Sequence, residues 1–224
     1  LVPTDVKKLR MKAVVFDLDG TLLDTLDDIA NSCNSVLAAH GFPTHPAEAY
    51  RYFVGDGVSM LLTRALPPGQ NSPEALARLV PVYKAEYGRR WNDQTRIYDG
   101  VESLLDELTL RQIKMTVLSN KPDDFTRRCV EEYLSQWSFA MVVGASQAFP
   151  PKPDPASARH IASSLGLRES EIAYVGDTST DMNTALRAGM VPFGAVWGFR
   201  TAEELQGSGA RHLLQHPRDL LRFL

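Results

Sequence analysis

The chain has only two cysteines, Cys33 and Cys129, far apart and in no C-x-x-C pair. That argues against a disulfide framework or a cysteine-based zinc site, and it suits a reducing compartment, so a cytoplasmic protein is expected. No apolar run approaches the roughly 20 residues a membrane-spanning helix needs, and a soluble protein without a membrane partner is expected. An excess of positive charge is missing as well. Lys plus Arg number 24 against 27 for Asp plus Glu, a net charge of −3, which argues against a surface built to grip nucleic acid. The five histidines, at 40, 45, 160, 212 and 216, share no metal-ligand spacing. Internal repeats and low-complexity tracts are lacking too, which removes solenoid and linker-rich architectures. Residues 1–10 have neither the apolar stretch nor the cleavage site of a secretory signal. Preceding Met11, they read as an upstream extension or an expression remnant.

What is present is enough apolar sequence for a core: 44% hydrophobic against 23% charged residues. At roughly 150 residues per domain, 224 residues suit one domain with a large insertion or two small domains. The run Ala13-Val14-Val15-Phe16 is short, apolar and β-branched, and it ends in Asp17-Leu18-Asp19-Gly20-Thr21. It predicts a buried strand delivering two carboxylates into a turn. Comparable runs are Met115–Leu118 before Ser119-Asn120, Ile172–Val175 before Gly176-Asp177, and Val191–Val196. Between them, Val101, Leu104, Leu105 and Leu108 fall at i, i+3, i+4 and i+7, the spacing of one helix face. Further helices are predicted at Phe125–Leu134, Ala156–Leu165 and Met182–Ala188. Strands alternating with helices predict an α/β fold, a Rossmann-like parallel sheet covered by helices.

From Asp24 to about Trp91 the alternation stops and only helical spacing remains, as in Leu26, Ile29, Cys33, Val36 and Leu37. We read residues 25–91 as an inserted all-α cap and residues 11–24 plus 92–224 as the α/β core, with hinges near Asp24 and Trp91.

In an open parallel sheet, ligands bind beyond the carboxyl ends of the strands where strand order reverses. Asp17, Asp19, Ser119, Asn120, Gly176, Asp177 and Asp181 would converge there. Two carboxylates about 4 Å apart repel by about 4 kcal/mol at an effective dielectric near 20, so positive charge must share the site. Mg²⁺ suits such an oxygen-ligand set. Lys152, between the prolines of Pro150-Pro151-Lys152-Pro153, adds an ammonium. Four carboxylates then still exceed one divalent ion and one ammonium, so one carboxyl must be protonated or shielded, with Asp19 the candidate.

In order and spacing, Asp17-Leu18-Asp19-Gly20-Thr21, Ser119-Asn120, Lys152 and Gly176-Asp177-Thr178-Ser179-Thr180-Asp181 resemble the four motifs of the haloacid dehalogenase superfamily. The resemblance runs from Met11 onward, cap position included. It implies that Asp17 is the nucleophile and that Asp19 is the general acid, then base. It also implies a Mg²⁺ held by Asp17, the Asp19 carbonyl and Asp177, with Asp181 ordering the surroundings. Ser119 would bind a phosphate oxygen, helped by the N–H groups of Leu18, Gly20 and Asn120, while Lys152, in preference to Lys121 at a predicted helix start, would neutralise the phosphoryl group. An acid at Asp19 disfavours dehalogenation. A phosphonatase would want a Schiff-base lysine in the cap, where Lys84 alone is found, with neighbours that read as an ordinary helix surface.

Specificity should come from the cap. Phe53–Val58 reads either as an anion-binding helix start or as a simple turn with Asp56 as N-cap. Val54–Val58, Ser119–Pro122 and Val196–Thr201 together resemble the bacterial phosphoglycolate phosphatases. That resemblance implies a small anionic phosphate ester as substrate, 2-phosphoglycolate in particular. Gly55, Asp56, Gly57 and a cap arginine, Arg51 or Arg64, would face its carboxylate. Phosphomutase, pyrophosphatase and sugar or nucleotide phosphatase activities stay open beside it, as does a non-catalytic binding module. A monomer or homodimer is expected.

Overall fold

The computed structural model describes residues 11–224, and the extension at residues 1–10 lies outside the described residues. The chain begins with β1 (Ala13–Phe16) and β2 (Leu23–Asp24), followed by four helices: α1 (Leu26–Ala39), α2 (Ala47–Phe53), α3 (Val58–Ala65) and α4 (Pro73–Arg90). It continues through β3 (Arg96–Ile97), α5 (Val101–Leu110), β4 (Lys114–Pro122), α6 (Asp123–Leu134), β5 (Phe139–Ala145) and α7 (Ala156–Leu165). The last elements are β6 (Ile172–Gly176), α8 (Ser179–Ala188), β7 (Val191–Ala195), α9 (Ala202–Gly207) and β8 (His212–Leu214).

Six strands form one sheet in the order β5-β4-β1-β6-β7-β8, and every neighbouring pair is parallel. Helices cover both faces, as the near-continuous apolar strands require. Because side chains alternate along a strand, Val14 and Phe16 pack with Val117, Leu104, Leu105 and Phe193 on one side. Ala13 and Val15 pack with Tyr174, Ala158, Ile161 and Ala185 on the other. From β1 the chain steps outward to β4 and β5, then returns to β6 on the opposite flank of β1. Strand order reverses there, which opens a crevice at the carboxyl ends of β1 and β6.

The four helices α1–α4 lie between β2 and β3, which pair antiparallel as Leu23↔Ile97 and Asp24↔Arg96. They share a cluster of their own, including Tyr50, Leu61, Leu62, Leu79, Tyr83 and Tyr87, which Phe125 and Phe199 of the sheet layers also join. Asp28 of α1, buried, accepts from the backbone N–H groups of Gln94 and Thr95 and from the Thr95 hydroxyl at 2.7–3.1 Å. The returning chain is thus pinned just before β3, a few residues beyond the hinge expected at Trp91.

Two strand readings change. The strand expected at Met115–Leu118 continues to Pro122, so Ser119, Asn120 and Lys121 lie in buried extended backbone, and Lys121 is not at a helix start. Sequence reading also passed over β5 and β8. Both lie at sheet edges; β5 is apolar throughout yet mostly half-exposed, and β8 has only three residues.

Candidate active site

Asp17 leaves β1 directly into the crevice, where its carboxylate accepts the Leu18 N–H at 2.7 Å. Asp177 follows β6, accepting the Thr21 hydroxyl at 3.0 Å and the Phe199 N–H at 2.8 Å. Asp181 is placed by a capping box at the start of α8: the Thr178 hydroxyl accepts the Asp181 N–H, and the Asp181 carboxylate accepts the Thr178 N–H. This reciprocal pairing satisfies two otherwise orphaned donors of the helix start and turns Asp181 back toward the sheet. One oxygen each from Asp17, Asp177 and Asp181 falls within 4.8 Å of the others.

Lys152, buried, reaches Asp17 at 2.9 Å and Asp181 at 2.7 Å, and it donates to the Leu118 carbonyl at 3.2 Å. Asn120 holds the lysine's backbone. Its amide oxygen accepts the Lys152 N–H at 2.8 Å, while its amide nitrogen donates to the Lys152 carbonyl and to the Gly55 carbonyl of the helical insertion, both at 3.1 Å. Burial works to lower the Lys152 pKa, but Asp17 and Asp181 outweigh it and hold the ammonium well above its ordinary value.

The carboxyls shift the other way. Burial, then Asp181, pushes Asp17 up to about 7 against the pull of Lys152. Burial, then Asp181 and Asp17, raises Asp177 well above the usual carboxylate range. Three buried carboxylates facing one ammonium are short of positive charge, and their donors are all oxygens. That set fits a hard divalent cation such as Mg²⁺.

Asp19 stands apart from this trio. Its carboxylate accepts the Thr25 hydroxyl at 2.8 Å and the Lys121 ammonium at 2.9 and 3.2 Å. Lys121, also buried, donates in addition to the Tyr87 hydroxyl at 2.7 Å, and its ammonium lies over the Tyr87 ring. This corrects the charge count. With Lys121 included, two ammoniums and one divalent ion balance the four carboxylates, and Asp19 is shielded by a cation of its own. The weight given to Lys152 over Lys121 hid a second site cation, although its position directly after Ser119-Asn120 was a signal.

A pocket of about 610 Å³, counting its open mouth, is lined at its floor by Asp17, Asp19, Ser119, Asn120 and Lys121. Gly55, Gly57, Tyr83, Lys84 and Tyr87 line it from the helical insertion, with Ile29, Leu61, Phe125 and Phe199 as apolar wall. The Ser119 hydroxyl is inside it and accepts the Lys121 N–H at 3.2 Å.

Three expected contacts are corrected. The Gly20 N–H is taken by the Leu23 carbonyl at 2.8 Å, so it is not free for a phosphate oxygen. Gly20 is instead required by close approach: its φ is +83°, and a Cβ there would strike the Asp177 carboxylate and the Phe199 ring. The Asp56 carboxylate turns from the pocket to Arg64 and to the Thr180 hydroxyl at 2.6 Å. Burial alone would raise its pKa, yet Thr180 and Arg64 hold it below the ordinary value. Arg64 is therefore spent on Asp56, and Arg51 donates to the Gly198 carbonyl at 2.9 Å. Neither arginine lines the pocket. Arg64 fastens the 54–57 turn within the insertion through Phe53 and Asp56, and Arg51 ties α2 to the loop after β7.

A parallel sheet reversing at β1, an Asp-x-Asp turn on that strand, and a lysine between two of three clustered carboxylates define a family. The chain belongs to the haloacid dehalogenase-like hydrolases, whose model matches residues 14–195. Within it, the chain is similar to phosphoglycolate phosphatases, which are phosphoric monoester hydrolases. It is 29% identical over 220 residues to the phosphoglycolate phosphatase of Vibrio parahaemolyticus, covering 96% of both chains. It is 31% identical to that of Pseudomonas syringae pv. tomato, over 84% of this chain and 70% of the relative. A crystallised protein from Haemophilus somnus, described as a predicted phosphoglycolate phosphatase, superposes with a TM-score of 0.87 at 25% identity, covering 95% of this chain and 97% of that one. Among the described residues, no helix is long and apolar enough to cross a membrane.

Proposed function

We propose that the chain is a phosphatase of small anionic phosphomonoesters, with 2-phosphoglycolate its foremost substrate, working in two steps through an aspartyl phosphate. One observation carries this reading: Asp17 and Asp19 face the same pocket, yet each is bound by a different lysine, Lys152 on the first and Lys121 on the second. Two carboxylates in unlike surroundings suit unlike tasks.

The Asp17 carboxylate attacks phosphorus. A bond from its oxygen to phosphorus forms as the ester P–O bond breaks, and Asp19 passes a proton to the departing alkoxide. Asp19 then takes a proton from water, which attacks the same phosphorus and frees phosphate and the Asp17 carboxylate. Ser119 and the Asn120 N–H orient the phosphoryl oxygens, the Leu18 N–H being held by the Asp17 carboxylate itself, and Lys152 faces the charge that builds on them. Asp17, the Asp19 carbonyl and Asp177 would hold Mg²⁺, with Asp181 steadying Lys152. When bound, the ion supplies further neutralisation of the transferring group. The helices of residues 25–91 act as a cap that keeps bulk water from the attack. A cytoplasmic location goes with this reading, and the free, buried state of both cysteines supports it.

The test is phosphate release from a panel of phosphomonoesters with and without Mg²⁺. The reading expects Mg²⁺-dependent turnover that Asp17→Asn abolishes. Absence of release across the panel overturns it, and activity surviving in Asp17→Asn removes Asp17 as nucleophile.

A further inference from the structure

Lys84, whose neighbours in sequence suggest an ordinary helix surface, lines the pocket beside Tyr83 and Tyr87 on the face of α4 turned toward Asp17 and Asp19. A helix presents i, i+3 and i+4 on one side, so Tyr83 and Tyr87 share a buried stripe; Lys84, one position on, stands at the edge of that stripe. Lys84 both lines the pocket and is exposed, as suits a long cationic side chain at an apolar rim.

The other cations near the pocket are already engaged. Lys121 is bound to both oxygens of Asp19 and to Tyr87, and Lys152 to Asp17 and Asp181. Arg64 is paired with Asp56, and Arg51 donates to Gly198. Arg200 donates to the Val54 carbonyl, behind the 54–57 turn. Among the described residues Lys84 has no ion pair within 4.0 Å, and it is the pocket-lining cation left without an anionic partner. The floor consumes the phosphoryl end of a substrate, so an anion at the other end of a short ester meets α4.

We infer that Lys84 is a specificity-determining residue that binds the second anionic group of the substrate, a carboxylate, and so selects carboxylate-bearing phosphomonoesters over those with neutral tails. The inference rests on the phosphatase reading and deepens it. Lys84 takes no part in bond making, so its removal should act through binding.

The experiment compares 2-phosphoglycolate with ethyl phosphate in the wild-type protein and in Lys84→Met, Lys84→Arg and Lys84→Glu. Lys84 is exposed on α4, and circular dichroism checks that each variant folds. Wild type should prefer 2-phosphoglycolate. In Lys84→Met its KM should rise on the order of 10-fold, the size of one charge-assisted contact near solvent. Its kcat, and both constants for ethyl phosphate, should move less than about 2-fold on the same basis. Lys84→Arg should restore most of the preference and Lys84→Glu should deepen the loss. A preference that survives in Lys84→Met, or an equal loss for both esters, overturns the role of Lys84 while leaving the phosphatase reading intact. A wild-type protein that hydrolyses neither ester nor any other phosphomonoester overturns both.

Discussion

Lys121 donates to both carboxylate oxygens of Asp19, at 2.9 and 3.2 Å, across 102 positions of sequence. The pair joins the end of β4 to the turn after β1, and Tyr87 of α4 completes it from the cap side. In the proposed mechanism Asp19 alternates between acid and base, and such a role depends on a fixed partner for its position. Replacing Lys121 with Met should lower kcat by on the order of 10²-fold, the scale of general acid–base catalysis. The loss should be greater for an alkyl phosphate than for p-nitrophenyl phosphate, because a good leaving group needs little protonation. Steady-state kinetics on the two esters check this, and equal losses would remove the link to proton transfer.

Lys152 is the shared cation of Asp17 and Asp181, with all three side chains buried. Removing one partner of a buried pair leaves charge without compensation, typically at about 3–5 kcal/mol. Lys152→Met should therefore both inactivate the enzyme and lower its melting temperature, and added Mg²⁺ should recover part of the stability by supplying positive charge. Thermal unfolding with EDTA and with Mg²⁺ measures it; a variant as stable as wild type in EDTA would contradict the geometry.

The raised Asp17 carboxyl has a pH consequence. In the folded, metal-free protein it keeps its proton to about pH 7, against an ordinary value of 3.8. Between those values the folded state binds more protons than the unfolded one, so this stabilisation is complete below the lower value and is lost as pH rises through the upper. Asp177, raised for the same reasons, adds in the same direction. In EDTA the melting temperature should fall between about pH 5 and pH 8. Mg²⁺ should flatten that decline, because a bound cation takes the place of the protons, and its affinity should rise with pH. Scanning fluorimetry over this range decides the point: a slope indifferent to Mg²⁺ contradicts the shared-carboxylate site.

Asp56 links the cap turn to Thr180, beside the helix start that positions Asp181. Its partial exposure and its pairing with Arg64 limit its stability contribution to roughly 1 kcal/mol or less. Asp56→Ala should leave the melting temperature nearly unchanged while raising KM several-fold, since the Gly55 and Gly57 backbone in the pocket wall loses its brace. Kinetics and calorimetry on the same preparation separate the two effects.

The local pattern of the chain determined a good deal. Short apolar runs ending in polar turns placed β1, β6 and β7, and helical spacing placed the helices between them. The open-sheet rule then brought Asp17, Ser119, Asn120 and Asp177 to one edge. Thr178-x-x-Asp181 is a capping box legible within four residues. These features are local, or depend only on strand direction, so one stretch of sequence carries them. The tertiary structure alone decided which partner each polar group takes. Lys121 meets Asp19, Arg64 turns to Asp56, and Arg51 reaches Gly198. Lys84 became a pocket residue because α4 packs with its tyrosine stripe toward Phe125 of α6 and Phe199 of the loop after β7. Such pairings join elements up to 147 positions apart, and side-chain direction is set by packing between layers, which no local periodicity encodes.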